Sequence, residues 1–173
     1  MDRTCVDVWQ GRLFRLEQRE YPRTGKTPVK RDVVVHPGAA VTLPLLGDDR
    51  IVFIRNYRYS VERELLELPA GVLEPGEAPA DNARRELQEE TGYRAGRVEP
   101  FAEFFSSPGI LTERMYAFLA TDLVEGPPEP EDTERIRVEV LTVNEAHRLF
   151  VEGRIEDAKT LAVLGLYFAR RQG

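Results

Sequence analysis

Three carboxylates stand within five positions, at Glu86, Glu89 and Glu90, in the stretch ARRELQEETG (83–92). A helix of 3.6 residues per turn places Glu89 about 60° to one side of Glu86 and Glu90 about 40° to the other, so all three share one face. Like charges at that spacing repel, and a cation bound among them removes the repulsion. Oxygen-only donor sets select hard ions, Mg2+ or Mn2+. The competing reading is an ordinary solvated helix face, on which Arg85 and Glu89 form an i,i+4 pair. On the same helix, Ala80, Ala83 and Leu87 make a neighbouring apolar stripe, which puts the acidic face at the margin of a core.

The wider spacing separates the two readings. Outward from the glutamates the chain gives Gly71, five residues, Glu77, seven residues, then Arg85-Glu86-Leu87, one residue, Glu89-Glu90, one residue, and Gly92-Tyr93. Every defined position of G-x5-E-x7-R-E-U-x-E-E-x-G-U is filled, U being apolar, and on these residues the chain resembles the Nudix hydrolases. The resemblance implies an α/β/α sandwich with a mixed β-sheet. It also implies cleavage of a nucleoside diphosphate linked to another group, with Mg2+ as cofactor and Mn2+ able to substitute. Glu86, Glu89 and Glu90 are then the catalytic metal ligands, helped by the carbonyl of Ala70. Glu77 and Arg85 form a structural ion pair, and Gly71 and Gly92 complete the frame of the box.

Outside the box, ELPAG (67–71) and SSPGILTE (106–113) resemble the ADP-ribose pyrophosphatase group, with Pro108 fifteen residues beyond Tyr93. The N-terminal β segment and the closing DAKTLAVLGLY helix look like that group too. This implies hydrolysis of ADP-ribose to AMP and ribose 5-phosphate by a homodimer with exchanged N-terminal segments. Glu113 is then expected at the distal ribose, and Pro108 among the substrate-binding residues. An arginine before the box reaches the pyrophosphate, Arg58 of RNYR being the first candidate and Arg31 the second. A glutamate of the acidic loop EGPPEPEDTE (125–134) acts as base or further metal ligand: Glu134 first, Glu131 second, with Asp132 standing where some relatives carry glutamate. Other substrates remain open, namely other nucleoside diphosphate sugars, NADH, FAD or coenzyme A. A non-catalytic nucleotide sensor is the reading from another class, and the intact set of box carboxylates argues against it. Trp9, Tyr21 and Phe105 are candidates to stack the base, although core burial is the default for aromatic side chains. His36 and His147 stand isolated and read as neither ligand nor base.

The elements that must position these residues alternate in type. Residues 1–36 read as an N-terminal antiparallel β segment and 37–173 as the hydrolase domain. AVTLPLL and RIVFIRNYRY form two strands joined at GDD. LLELPAGVLEPGE is a strand entering a Gly/Pro loop, and the box helix runs from about Ala78 to Thr91, with Pro79 at its start and Gly92 as its left-handed stop. VEPFAEFFSSPG, RMYAFLATDLV and RIRVEVLTV are further strands. Thr142 and Glu145 form a capping box. The last helix, about 157–171, is apolar nearly all round its centre, which predicts a buried or interfacial position.

Composition agrees with a globular enzyme: 173 residues, 42% hydrophobic, 31% charged, net charge −6. An acidic chain lacks the basic face that nucleic-acid binding requires, yet a divalent cation can bridge it to a phosphate compound. The 24 cationic side chains comprise 21 arginines and three lysines (Lys26, Lys30, Lys159). No run of 18 apolar residues suggests a membrane span, and no signal-peptide core opens the chain. The single cysteine, Cys5, excludes an internal disulfide and fits a reducing cytoplasm.

Overall fold

The computed structural model describes residues 4–127 and 135–171. Strands β1 (Thr4–Gln10), β2 (Arg15–Arg23) and β3 (Lys26–Val35) form a separate antiparallel sheet in the order β1-β2-β3. The second sheet has the order β10-β5-β4-β9-β8, built from β4 (Ala39–Leu46), β5 (Arg50–Arg58), β8 (Arg94–Phe105), β9 (Arg114–Val124) and β10 (Ile136–Thr142). Its β4–β9 pair is parallel and the others run antiparallel, so the sheet is mixed.

Period-2 alternation in β4 and β5 explains the layering. Val41, Leu43, Ile51 and Phe53 point to one face, where they meet Ala146 of α2 (Val143–Val151) and Val163, Leu164 and Phe168 of α3 (Ala158–Arg171). Ala40 and Val52 point to the other face, under Ala83, Leu87 and Tyr93 at and just beyond α1 (Pro79–Thr91). The result is an α/β/α sandwich. Leu87 is fully buried; burying a leucine is worth roughly 2 kcal/mol, against a few tenths for each like-charge pair on the adjoining face. Packing therefore holds the acidic helix in place.

The sheet forks at β4, and the fork makes room for the box. β4 pairs with β5 only at Leu45 and Leu46, whereas its opening residues Ala39, Ala40 and Val41 pair with β7 (Ala70–Val72). β5 pairs at its far end with β6 (Arg63–Glu67), so the stretch read from sequence as one strand divides at Leu68-Pro69. Thr42 closes the break by donating its N–H to the Pro69 carbonyl at 2.9 Å.

Helix ends follow the local signals. Pro79 opens α1, and Gly92 ends it at φ 76°, donating its N–H to the Gln88 carbonyl. Thr142 and Glu145 form both halves of a capping box on α2. α3 is less enclosed than its apolar centre suggests: Val163, Leu164 and Phe168 are buried, but Leu166 is exposed. No helix among the described residues is long and apolar enough to cross a membrane.

Candidate active site

The three glutamates lie where α1 faces β7. Glu90 is buried and accepts the Ala70 N–H at 2.9 Å through Oε2. Glu86 lies against the backbone of Gly71, so closely that any side chain there would overlap its carboxylate. Glu89 is half-buried on the next turn. Arg85 binds the group together, with Nη1 at 2.8 Å from both Glu86 Oε1 and Glu89 Oε2. Its Nε donates to Glu77 Oε1 at 2.9 Å and its Nη2 to Glu77 Oε2 at 3.2 Å.

Glu77 is the hub of the loop that precedes the helix. Besides Arg85 it accepts from the Glu74 N–H at 3.0 Å and from Asn82 Nδ2 at 2.8 Å. The same Asn82 nitrogen donates to the Val72 carbonyl. The Arg85 hydrogen bonds, against a smaller opposing push from burial, hold the Glu77 carboxyl down to about 2. Asn82 was not singled out in the sequence; its signal is its place one turn before Arg85 on the same helix face.

Two cavities meet beside this cluster. An open groove of about 1040 Å³ is lined by Ala70, Gly71, Glu77, Arg85, Glu86 and Arg58. A second cavity, of about 450 Å³, holds Arg58, Gly71, Glu113, His36, Asp157 and Lys159. Arg58 and Gly71 line both, which places Arg58 at the junction. The guanidinium is held there by Glu67, with Nε at 2.8 Å from Oε1 and Nη2 at 2.6 Å from Oε2. A further groove beside the β4–β5 turn, near Tyr167 and Arg170, contains none of the box carboxylates.

The other sequence candidates fall in different places. Glu113 lies in the second cavity, and its Oε1 is 3.5 Å from His36 Nδ1. His36 is therefore not isolated. Its backbone N–H donates to Thr112 Oγ1, which anchors the segment carrying Glu113 to the end of β3. Arg31 and Pro108 line a third cavity, between the N-terminal sheet and the 108–112 loop, that contains no box residue. Trp9, Tyr21 and Phe105 are all exposed, so the default expectation of core burial is wrong for each. Their strands have a solvated face at these positions. His147 packs edge-on against Phe168 at 4.8 Å between ring centres, away from the box. Glu131, Asp132 and Glu134 lie outside the described residues.

The donor set fits a hard divalent cation. It consists of carboxylate oxygens on one helix face, drawn against a backbone strand that can add a carbonyl, with a glycine cleared of side-chain atoms where Glu86 approaches. A model of the NUDIX domain matches residues 35–164. The chain belongs to the NUDIX family. Among its relatives, the ADP-ribose pyrophosphatase of Bacillus subtilis is 34% identical over 155 residues, covering 88% of this chain and 84% of that protein. The methanol dehydrogenase activator of Bacillus methanolicus is also 34% identical, covering 89% and 84%. A crystal structure of an ADP compounds hydrolase superposes with a TM-score of 0.80 at 23% identity, over 98% of this chain and 94% of that one. That likeness supports the fold, including the small N-terminal sheet.

Proposed function

We propose that this NUDIX protein is a pyrophosphohydrolase that cleaves ADP-ribose to AMP and ribose 5-phosphate, with Mg2+ as the preferred ion and Mn2+ as a substitute. The observation that carries the reading is the junction of the two cavities, one lined by Glu86 and Ala70 of the metal-type cluster and the other by Glu113, with Arg58 lining both. A substrate with a charged diphosphate centre and a polar sugar end matches that layout. The name of the Bacillus subtilis relative supports the choice of ADP-ribose.

Glu86, Glu89 and Glu90, with the Ala70 carbonyl, would hold the cation, which when bound supplies charge neutralisation and water activation. The remaining work belongs to positioning and electrostatics. Arg58 orients the diphosphate, and its delocalised fork suits phosphate oxygens better than a lysine would. Glu113 accepts hydrogen bonds from the distal ribose, and the His36–Thr112 contact sets its position. Arg85 is tied to Glu77 and keeps the helix aligned with its loop. The absence of a second cysteine supports residence in a reducing cytoplasm. The exposed strand β1 supports assembly with a second copy through the N-terminal sheet.

The test is product analysis with ADP-ribose, ADP-glucose, NADH, FAD and coenzyme A, each with Mg2+ and with EDTA, alongside Glu90→Gln. AMP released mainly from ADP-ribose, dependent on metal and lost in the variant, is the expected result. Preferential cleavage of another compound keeps the mechanism and changes the substrate. Nucleotide binding with no cleavage at all overturns the enzymatic reading.

A further inference from the structure

We propose that Lys159, in the first turn of α3, is a positioning residue for Arg58: it neutralises Asp157, shares the carboxylate of Glu67, and so keeps the Arg58 guanidinium presented to the cavity. The inference rests on the reading of Arg58 as the diphosphate contact.

The observations form a chain of alternating charge. Glu67 is fully buried, and its Oε2 accepts from both Arg58 Nη2 and Lys159 Nζ. Lys159 Nζ also lies 2.8 Å from Asp157 Oδ1. The order is Arg58, Glu67, Lys159, Asp157, and Lys159 and Asp157 are largely withdrawn from solvent, with side chains 14% and 15% exposed. Asp157 cannot move to relieve a lost partner. Its Oδ2 caps α3 by accepting from the Thr160 N–H at 2.9 Å and the Thr160 hydroxyl at 2.7 Å, and Thr160 Oγ1 in turn accepts the Leu68 N–H at 2.8 Å. In the wild type, Lys159 and the Thr160 hydrogen bonds outweigh the upward push of burial and hold its carboxyl below its ordinary value; without Lys159, the Thr160 hydrogen bonds are what remain to favour its charge.

Arg58 already feels this charge. Its guanidinium binds its proton more tightly than usual, through Glu67 first and also through the fields of Glu90 and Asp157. With Lys159 neutral, Arg58 becomes the cation that two poorly solvated carboxylates share, and buried carboxylates demand a partner. The guanidinium is then drawn towards α3, away from the groove lined by Gly71 and Glu86. Nε and Nη2 are committed to Glu67, so the edge withdrawn is the one available to a ligand.

The experiment compares Arg58→Ala, Lys159→Met, Asp157→Asn/Lys159→Met and Arg58→Ala/Lys159→Met by steady-state hydrolysis of ADP-ribose and by calorimetric ADP-ribose binding in EDTA. Far-UV circular dichroism verifies folding, and Lys159→Arg serves as the charge-preserving control. Lys159→Met is expected to raise KM about tenfold with kcat nearly unchanged, and to add nothing in the Arg58→Ala background. Removing Asp157's charge as well is expected to restore most of the affinity, a rescue that a merely structural defect would not give. Unchanged KM in Lys159→Met beside a defective Arg58→Ala overturns this inference alone. So do multiplying effects of the two substitutions, which would mean that Lys159 touches substrate itself, and so does a folded Lys159→Arg as impaired as Lys159→Met. Wild-type behaviour of Arg58→Ala overturns the reading of Arg58, and the inference with it.

Discussion

The carboxylate of Glu86 occupies the space that a side chain on Gly71 would fill. A Cβ built on Gly71 falls 1.8 Å from Glu86 Cδ and 1.9 Å from its Oε1, inside any tolerable contact distance. The backbone of Gly71 is not left-handed, so glycine here provides room for the Glu86 carboxylate and not conformational freedom. In Gly71→Ala the carboxylate must swing out by more than an ångström. Misplacement of that size costs about 10²-fold in kcat, with the fold retained because Leu87 and Ala83 still pack. Steady-state kinetics with far-UV circular dichroism checks this, and a fully active Gly71→Ala would show that Glu86 is not needed where it lies.

The cluster of Glu86, Glu89 and Glu90 predicts stabilisation by divalent ions that does not depend on turnover. A cation that binds only the folded state at a hundredfold excess over Kd stabilises it by about 2.7 kcal/mol, which is several degrees in Tm for a chain of this size. Wild-type protein is expected to melt higher in MgCl2 than in EDTA. Glu86→Gln should lose most of that difference, since it removes the charge of one of the three carboxylates that would hold the cation. Equal melting of the wild type in both buffers rejects the metal assignment.

Much of this was legible in the sequence because its cause is local. Pro79, Gly92, Thr142 and Glu145 mark helix ends by their own local chemistry: α1 begins and ends, and α2 begins, where those residues place them. The three glutamates share a face because helical periodicity requires it. What could not be read was tertiary. Glu67 and Lys159 lie 92 positions apart, and nothing in either neighbourhood announces the other. His36 reads as a lone histidine until the end of β3 is laid against the loop carrying Thr112 and Glu113. Trp9, Tyr21 and Phe105 read as core by default because aromatic content alone cannot distinguish the buried face of a strand from its solvated one.

The depressed carboxyl of Glu77 makes a prediction about acid stability. Its value in the folded protein is about 2, against an ordinary 4.5, with the Arg85 hydrogen bond as the main cause. A carboxylate lowered on folding stabilises the native state fully above its ordinary value, and that contribution is lost as pH falls towards the folded value. The stability difference between wild type and Glu77→Gln should therefore be largest above pH 4.5 and should close between about 4.5 and 2. Urea titrations at several pH values measure it. A difference that persists unchanged at the acid end would mean that packing around Glu77, and not its charge, supplies the stability.

Strand β1 carries the case for a second copy of the chain. All seven of its residues are exposed, although Val6, Val8 and Trp9 are large and apolar, at 65%, 56% and 51% exposure. An edge strand with apolar side chains and unpaired backbone groups invites either a partner or aggregation. Assembly through this strand predicts a light-scattering mass of twice the 19.7 kDa chain, and Val6→Glu or Val8→Glu should shift the population towards monomer. If the N-terminal segments are exchanged, as the family resemblance implies, those variants should lose affinity for ADP-ribose in step with dissociation, because each site would then draw residues from its neighbour. A monomeric variant with unchanged KM would separate the two ideas, leaving an interface that contributes nothing to the site, and a wild type that is monomeric and fully active would remove both.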